Sequence, residues 1–194
     1  MNLNIDYYLR KYDGFLSHQE CNQVIDEIEK QEWTKHSFYL PNHPELIIHP
    51  HELDNLFDVD SKLQSSKIIN ERISRCFQQY INDHDAPDYF GRMNASSYVR
   101  YNRYKVGQAM TPHVDHIHTL FMKEGETTPK GVPILSMVGS LNDDYEGGEF
   151  VMWENRIIPI PKGSVIIFPS NFLYPHHVEF VKKGTRHTFV SWAW

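Results

Sequence analysis

The sequence has few cysteines, no long apolar run and no excess of basic residues. Its two cysteines, Cys21 and Cys76, are too few for a disulfide scaffold, and both lie at apolar positions of predicted helices. No apolar stretch approaches the length that spans a membrane, and the N-terminus lacks the basic flank and apolar run of a signal peptide. We therefore expect a soluble, cytoplasmic protein that does not associate with membranes.

The charge balance argues against one class of partner. Lys and Arg number 19 against 25 Asp and Glu, which gives a net charge of -6. A broad basic surface for nucleic acid is therefore not expected. The 194 residues contain no repeat, low-complexity segment or linker, which favours a single domain over 1–194. No pattern in the sequence defines an oligomeric state.

The N-terminal part, residues 1–88, has the pattern of a helical support. Ser17-His-Gln-Glu20 is a capping box, and the apolar spacing after it predicts a helix that ends near Lys30. Another apolar stripe predicts a second helix from about Ser61 to Asn82. Residues 34–57 contain three prolines and are expected to be irregular or edge structure.

The C-terminal part, residues 89–194, is expected to form the catalytic core. Glycine and proline separate short runs rich in β-branched and aromatic residues, which is typical of strands. Lys182-Lys-Gly-Thr185 is interpreted as a hairpin turn in which Gly184 has a positive φ. The pattern predicts an α+β, mainly β fold: a double-stranded β-helix, or jelly roll, with the two N-terminal helices packed on one sheet. The predicted strands cover 96–103, 109–114, 134–141, 149–153, 156–160, 164–168, 176–181 and 186–192.

Three residues of this core form a candidate metal site. His113 and Asp115 are separated by one residue, so on a strand both side chains point to the same face. His176 would complete a set of two imidazoles and one carboxylate. Such a set occupies one face of an octahedral ion and leaves the other positions open, which suits a non-haem Fe(II) oxygenase. His116 and His118 would face away on a continuing strand, and they would line the mouth of the active site if the strand ends before them.

The last predicted strand offers a candidate pocket for an acid. Arg186, Thr188, Val190 and Trp192 share one face by strand alternation. A guanidinium, a hydroxyl and an aromatic wall suit a short dicarboxylate. The alternative for Arg186 is an ordinary surface ion pair.

The C-terminal part resembles the iron- and 2-oxoglutarate-dependent dioxygenases, in particular their prolyl 4-hydroxylase-like branch. Five segments occur in the family's order over roughly 96–194, and together they form a specific signal. They are Tyr104-Lys-Val-Gly107, His113-Val-Asp115, Leu141-Asn-Asp-Asp-Tyr-Glu-Gly-Gly-Glu149, Pro161-Lys-Gly-Ser-Val-Ile-Ile-Phe-Pro169, and His176-His-Val178 running to Gly184-Thr-Arg186.

The resemblance implies a role for each site residue. It places the third ligand at His176 and not at His177, and it assigns Arg186 to the distal carboxylate of 2-oxoglutarate. Trp192 would lie near the iron-proximal part of that pocket, and Thr188 would add a hydrogen bond. Tyr104 matches a cosubstrate-binding tyrosine, although it could equally be a core residue. Relatives often have a second such tyrosine where this chain has Ser140, so Tyr104, Tyr98 or Ser140 itself are candidates to replace it.

The implied function is a 2-oxoglutarate-dependent hydroxylase. It would use Fe(II), 2-oxoglutarate and O2, with ascorbate as a candidate addition, and hydroxylate an unactivated C–H bond with succinate and CO2 as co-products. The resemblance favours a prolyl residue of a peptide or protein as substrate, and a free amino acid or other small molecule is the rival. Residues 118–132 are a candidate lid and residues 37–57 a candidate wall. Two other classes stay open: a non-oxidative cupin-type metal protein and a catalytically silent binding module.

Overall fold

The computed structural model describes residues 4–40, 43–47, 50–58, 61–84, 95–115 and 133–194. A 3₁₀ helix spans Ile5–Tyr8, and two α-helices follow, α1 at His18–Ile28 and α2 at Gln64–Asp83. Within these residues no helix is both long and apolar enough to cross a lipid bilayer. The strands are β1 Arg10–Tyr12, β2 Thr34–Lys35, β3 Phe38–Leu40, β4 His43–Ile47, β5 Asp54–Phe57, β6 Arg100–Tyr104, β7 Met110–His113, β8 Leu135–Ser140, β9 Glu146–Gly147, β10 Phe150–Met152, β11 Arg156–Ile157, β12 Val165–Pro169, β13 His176–Val178, β14 Val181–Lys183 and β15 Arg186–Ala193.

Two antiparallel sheets pack face to face. The larger has seven strands in the order β1-β12-β8-β15-β6-β5-β2, and the smaller has four in the order β11-β10-β13-β7. Apolar side chains from both sheets meet between them, among them Val138 and Val190 from the larger and Phe150 and Val178 from the smaller. This architecture confirms the predicted double-stranded β-helix.

Both α-helices cover the outer face of the larger sheet, as expected from their apolar stripes. Buried residues of α1 and α2 share a core with side chains of β6, β8, β12 and β15. The capping box at the start of α1 is also confirmed, because the Ser17 hydroxyl accepts from the Glu20 N–H and the Glu20 carboxylate accepts from the Ser17 N–H. The helices leave the space between the sheets free for a site.

The larger sheet takes strands from both parts of the chain, which the sequence did not predict. β1, β2 and β5 come from residues 1–88, where we expected helices and irregular or edge segments. β1 has the sequence Arg-Lys-Tyr, which is short and charged, and its pairing with β12 defines it as a strand. The N-terminal part therefore supplies both ends of the sheet as well as the helices.

The predicted hairpin at 182–185 is wrong. β14 pairs with β9 in a separate two-stranded sheet, whereas β15 pairs with β6 and β8 in the seven-stranded sheet. The turn therefore connects two different sheets. Gly184 does have a positive φ of 74°, and a Cβ there would lie 2.9 Å from the carbonyl oxygen of Asp144. The turn residue was predictable from chemistry, but the pairing of the strands that flank it was not.

Candidate active site

His113, Asp115 and His176 converge at one end of the smaller sheet. β13 pairs with β7 so that His176 lies directly opposite His113. His113 Nε2 lies 3.5 Å from Asp115 Oδ1, and His176 Nε2 lies 3.8 Å from Asp115 Oδ2. One ligand atom from each side chain lies within 4.8 Å of the other two, and no other group of three such side chains among the described residues is as close. This spacing allows all three to contact one ion.

Asp115 reaches the site from beyond the end of its strand. β7 ends at His113, so the strand alternation that predicted a shared face does not extend to Asp115. The two residues meet because the chain bends after the strand. His116 and His118, which were expected to face away, lie outside the described residues, as does the candidate lid at 118–132.

Both imidazoles are held in the tautomer that a metal ligand needs. His113 Nδ1–H donates to the carbonyl of Thr111 at 2.8 Å, and His176 Nδ1–H donates to the carbonyl of Tyr174 at 3.1 Å. A carbonyl can only accept, so Nε2 of each ring keeps its lone pair for an ion.

Burial and mutual charge favour the ligand protonation states. Burial, together with nearby His113, lowers the pKa of His176 to about 4, which keeps this ring neutral at pH 7. Burial alone would raise the pKa of Asp115, but the electrostatic influence of His176 and His113 beside it outweighs burial and holds that pKa below its usual range. A neutral His176 and an ionised Asp115 match the donor types that Fe(II) takes in such sites.

Glu52 supports His113 from behind. This glutamate is completely buried, and its Oε1 accepts from the N–H of Thr111 at 3.2 Å and from the Thr111 hydroxyl at 2.6 Å. Thr111 in turn accepts from His113, so the two residues fix the orientation of the ring. The sequence analysis did not single out Glu52, because it lies between short segments with no readable periodicity.

The larger sheet forms the opposite wall of a cavity that reaches these three residues. The structure places Arg186, Thr188, Val190 and Trp192 of β15 on this wall, and Tyr104 of β6 beside them. All of the cosubstrate residues expected from the sequence thus line one cavity with His113, Asp115 and His176.

Arg186 is buried with unused hydrogen-bond donors. It is 2% exposed, its guanidinium lies 5.0 Å from the centre of the Tyr104 ring, and its Nε and Nη1 atoms have no hydrogen-bond partner among the described residues. The buried Thr188 hydroxyl also lacks a partner there. These features exclude the surface ion pair considered for Arg186, and they suit an anionic ligand.

Two polar residues of this cavity were missed by sequence reasoning. Arg100 and Asn102 line the wall next to Tyr104, and each has a buried polar atom without a partner among the described residues. The signal was present, because residues 100, 102 and 104 alternate to one face of β6. The predicted strand, 96–103, includes Arg100 and Asn102, but alternation alone does not show which face of a strand is buried.

The candidates to replace the missing tyrosine are placed differently. Ser140 is buried, but its hydroxyl donates to the carbonyl of Asn142 at 3.0 Å. Tyr98 is 56% exposed and does not line the cavity. Of the three, only Tyr104 lines it. His177 faces outward, with its Nε2 3.2 Å from Glu179 Oε1.

Comparison with known proteins identifies a family. The model of the 2OG-Fe(II) oxygenase superfamily matches residues 99–194. A PKHD-type hydroxylase of Thermosynechococcus vestitus is 33% identical over 136 residues, which cover 66% of this chain and 53% of that protein. One from Rippkaea orientalis is 38% identical over 95 residues, which cover 47% of this chain and 40% of that protein. The chain spans about half the length of the curated relatives it matches.

Solved structures share the fold. A viral collagen prolyl hydroxylase from Paramecium bursaria Chlorella virus-1, in complex with 2OG, has a TM-score of 0.69 at 21% identity and covers 96% of this chain and 95% of its own. A prolyl hydroxylase from Trichoplax adhaerens, in complex with a peptide of hypoxia inducible factor, has a TM-score of 0.71 at 14% identity and covers 97% and 84%. The chain therefore has the fold of these prolyl hydroxylases, and its residues 99–194 match the 2OG-Fe(II) oxygenase superfamily, whose members are 2-oxoglutarate-dependent oxidoreductases that need Fe(II), 2-oxoglutarate and O2.

Proposed function

We propose that this chain is an Fe(II)- and 2-oxoglutarate-dependent hydroxylase. One observation supports this most strongly: two histidines and an aspartate within 4.8 Å of one another share a cavity with a buried guanidinium whose donors are unused. 2-Oxoglutarate has a keto acid end that can bind a metal ion and a distal carboxylate that can bind a guanidinium. The cavity offers a site for each end.

His113, Asp115 and His176 are the proposed iron ligands. Their Nε2 and carboxylate oxygen atoms face one point, and the backbone carbonyls of Thr111 and Tyr174 hold the two rings. Three ligands on one side of the ion leave positions for the cosubstrate and for O2.

Arg186 is the proposed partner of the distal carboxylate of 2-oxoglutarate. A carboxylate at the guanidinium would accept from a donor that has no partner among the described residues and would neutralise a buried charge. The Thr188 hydroxyl, also without a partner among the described residues, would add a hydrogen bond. Tyr104 lies under the guanidinium, and Trp192 forms the wall at the other end of β15.

The chemistry that iron and 2-oxoglutarate supply when bound is activation of O2, which adds one hydroxyl to the substrate and releases succinate and CO2. The chain itself binds and orients the cosubstrate and the substrate, and it excludes water. Apolar side chains such as Met110, Val138 and Phe150 line the cavity around the polar groups, which keeps the reacting centre dry.

A prolyl residue in a peptide or protein is the substrate class that we propose. The curated relatives are PKHD-type hydroxylases, and the two solved structures are described as a collagen prolyl hydroxylase and a prolyl hydroxylase bound to a peptide. A free amino acid or other small molecule is the alternative. The two cysteines are both free thiols, which is compatible with the cytoplasmic location that we propose.

Succinate release tests the proposal. Purified protein supplied with Fe(II), 2-oxoglutarate, O2 and ascorbate should form succinate slowly even without its prime substrate. Asp115→Asn should reduce the rate to background, whereas Asp143→Asn, an exposed aspartate of the same size, should leave it unchanged. Absence of succinate in the wild type would instead favour a non-oxidative metal protein or a silent binding module.

If succinate is formed, a second experiment separates the two substrate classes. A mass gain of one oxygen on prolyl peptides would support the proposed class, and a gain on free amino acids would support the alternative.

A further inference from the structure

Arg100 is a second buried cation in the cavity that the proposed function does not use. Arg100 is 9% exposed, and the described residues include neither a hydrogen-bond partner for its Nε nor a carboxylate within ion-pair distance. An uncompensated buried charge is costly, and a protein tolerates one where a ligand supplies the opposite charge.

The position of Arg100 excludes 2-oxoglutarate as that ligand. β15 pairs with β6 so that Arg186 lies opposite Tyr104 and Val190 lies opposite Arg100. The backbone of Arg100 thus lies four residue positions along the wall from the level of Arg186, roughly 13 Å, and its guanidinium lies at the ring of Trp192, further from Arg186. Under the proposed function, one carboxylate of 2-oxoglutarate binds Arg186 and the other lies at the metal site. No carboxylate of the cosubstrate remains for Arg100, so the charge partner belongs to another molecule.

The surroundings of Arg100 define the chemistry of that partner. The rings of Trp192 and Phe57 lie 4.8 and 5.7 Å from the guanidinium carbon, so aromatic groups flank its faces and leave its N–H edge for a ligand. Arg100 is the one described cation at this end of the cavity, and its single charge balances a carboxylate but not a phosphate dianion. Asn102 lies two residues further along the same face, and its buried Oδ1 lacks a donor among the described residues.

We propose that the primary substrate presents a carboxylate to Arg100 and an N–H group to Asn102 while its reacting C–H bond lies at the metal site. This inference rests on the proposed function. Three sources supply such a carboxylate: a free amino acid, the C-terminus of a peptide, and an acidic side chain next to the hydroxylated residue. All three share the chemistry that Arg100 recognises.

Matched acid and amide probes test the inference by binding. The wild-type protein with Fe(II) and 2-oxoglutarate is titrated without oxygen in a calorimeter, so that no turnover occurs. The probe pairs are L-proline and L-prolinamide, acetyl-Gly-Pro with a free or amidated C-terminus, and acetyl-Gly-Pro-Asp-amide and its Asn counterpart. The acid of at least one pair should bind about tenfold or more tightly than its amide, which is the effect of one charge-assisted contact.

Two variants complete the design. Arg100→Gln should reduce that acid preference to about twofold or less. Arg103→Gln should preserve it, because Arg103 lies on the opposite face of β6 and pairs with Glu29 and Asp54. No acid preference in any wild-type pair, or a preference that persists in Arg100→Gln, would overturn the inference. Failure of the proposed function is separately visible, because no succinate would form in air.

Discussion

Two guanidinium groups in one buried cavity are costly unless ligands neutralise them. Arg186 is held in place on two sides, by the ring of Tyr104 and by the chain at Gly148. Gly148 has a positive φ of 65°, and a Cβ at this position would lie 3.0 Å from Arg186 Cδ. The glycine therefore leaves the space that the arginine side chain occupies, which fixes the direction of its donors.

Replacement of Arg186 should weaken the use of 2-oxoglutarate. In Arg186→Gln the distal carboxylate would lose its charged partner, and the concentration of 2-oxoglutarate that gives half-maximal succinate release should rise roughly 10- to 100-fold. Steady-state succinate release over a range of 2-oxoglutarate concentrations measures this. A rise of that size is expected because a hydrogen-bonded ion pair in a buried site contributes more than an exposed one.

Arg103→Gln is the matched control for this substitution. Arg103 lies on β6 beside β15 and pairs with Glu29 and Asp54 outside the cavity, so its loss should leave the dependence on 2-oxoglutarate within about twofold. An Arg186→Gln protein with the wild-type dependence would show that the distal carboxylate binds elsewhere.

The sequence predicted residues of this site to different extents. His113 and Asp115 form a short motif of metal-ligand types, whereas the choice of His176 over His177 and the role of Arg186 followed from the family resemblance of the surrounding segments. Arg100 was missed for a physical reason. An arginine in a sequence is normally a solvated surface residue, and only the pairing of β6 with β15 shows that this one is buried.

At the scale of elements, the start of α1 ties the helices to each other. The Glu20 carboxylate accepts from the Ser17 N–H and also forms an ion pair with Arg72 of α2. The hydrogen bond from Arg72, followed by the one from Ser17, lowers the pKa of Glu20 to about 2. The stabilisation from these contacts is therefore complete above the unfolded pKa of Glu20, near 4.5, and is lost as the pH falls through about 2.

Removal of the cap should destabilise the fold without a direct effect on the cavity. Ser17→Ala eliminates the acceptor for the Glu20 N–H and should lower the free energy of unfolding by about 1 kcal/mol at pH 7. Denaturant unfolding measures this loss. Ser74→Ala, at an exposed position within α2, should cause little loss, because its 3.4 Å hydrogen bond with Ser96 is exposed to solvent and alanine favours helix interiors. Equal stability of Ser17→Ala and the wild type would mean that the cap contributes nothing.

Elements with strong local signals were predictable, and those defined by their neighbours were not. α1 has a capping box and both α1 and α2 have apolar periodicity, so both were predicted within a few residues of their ends. β2 and β5 are two and four residues long, and they become strands because they pair with each other and with β6. Such pairing joins residues far apart in the chain, and no local pattern encodes it.

At the scale of the molecule, the site exists only because the two sheets are packed together. The three proposed iron ligands belong to the smaller sheet and its adjoining bend, whereas both cavity guanidiniums belong to the larger sheet. The family-matched residues 99–194 include all of these groups, and residues 1–88 contribute the outer helices, the sheet ends and Glu52 behind His113. Residues 1–88 thus supply much of the support for polar groups that lie within residues 99–194.

Titration with Fe(II) without oxygen, measured in a calorimeter, most directly tests the central claim that His113, Asp115 and His176 bind the iron. The wild-type chain should bind one Fe(II) with saturation. His176→Ala should bind Fe(II) more weakly by over about 100-fold. Mutation of a residue that only hydrogen-bonds a metal ligand can already reduce metal affinity by up to about 100-fold, and loss of a ligand should cost more. His177→Ala should bind as the wild type does, because its ring faces Glu179. Wild-type affinity in His176→Ala, or loss of binding in His177→Ala, would contradict the proposed site.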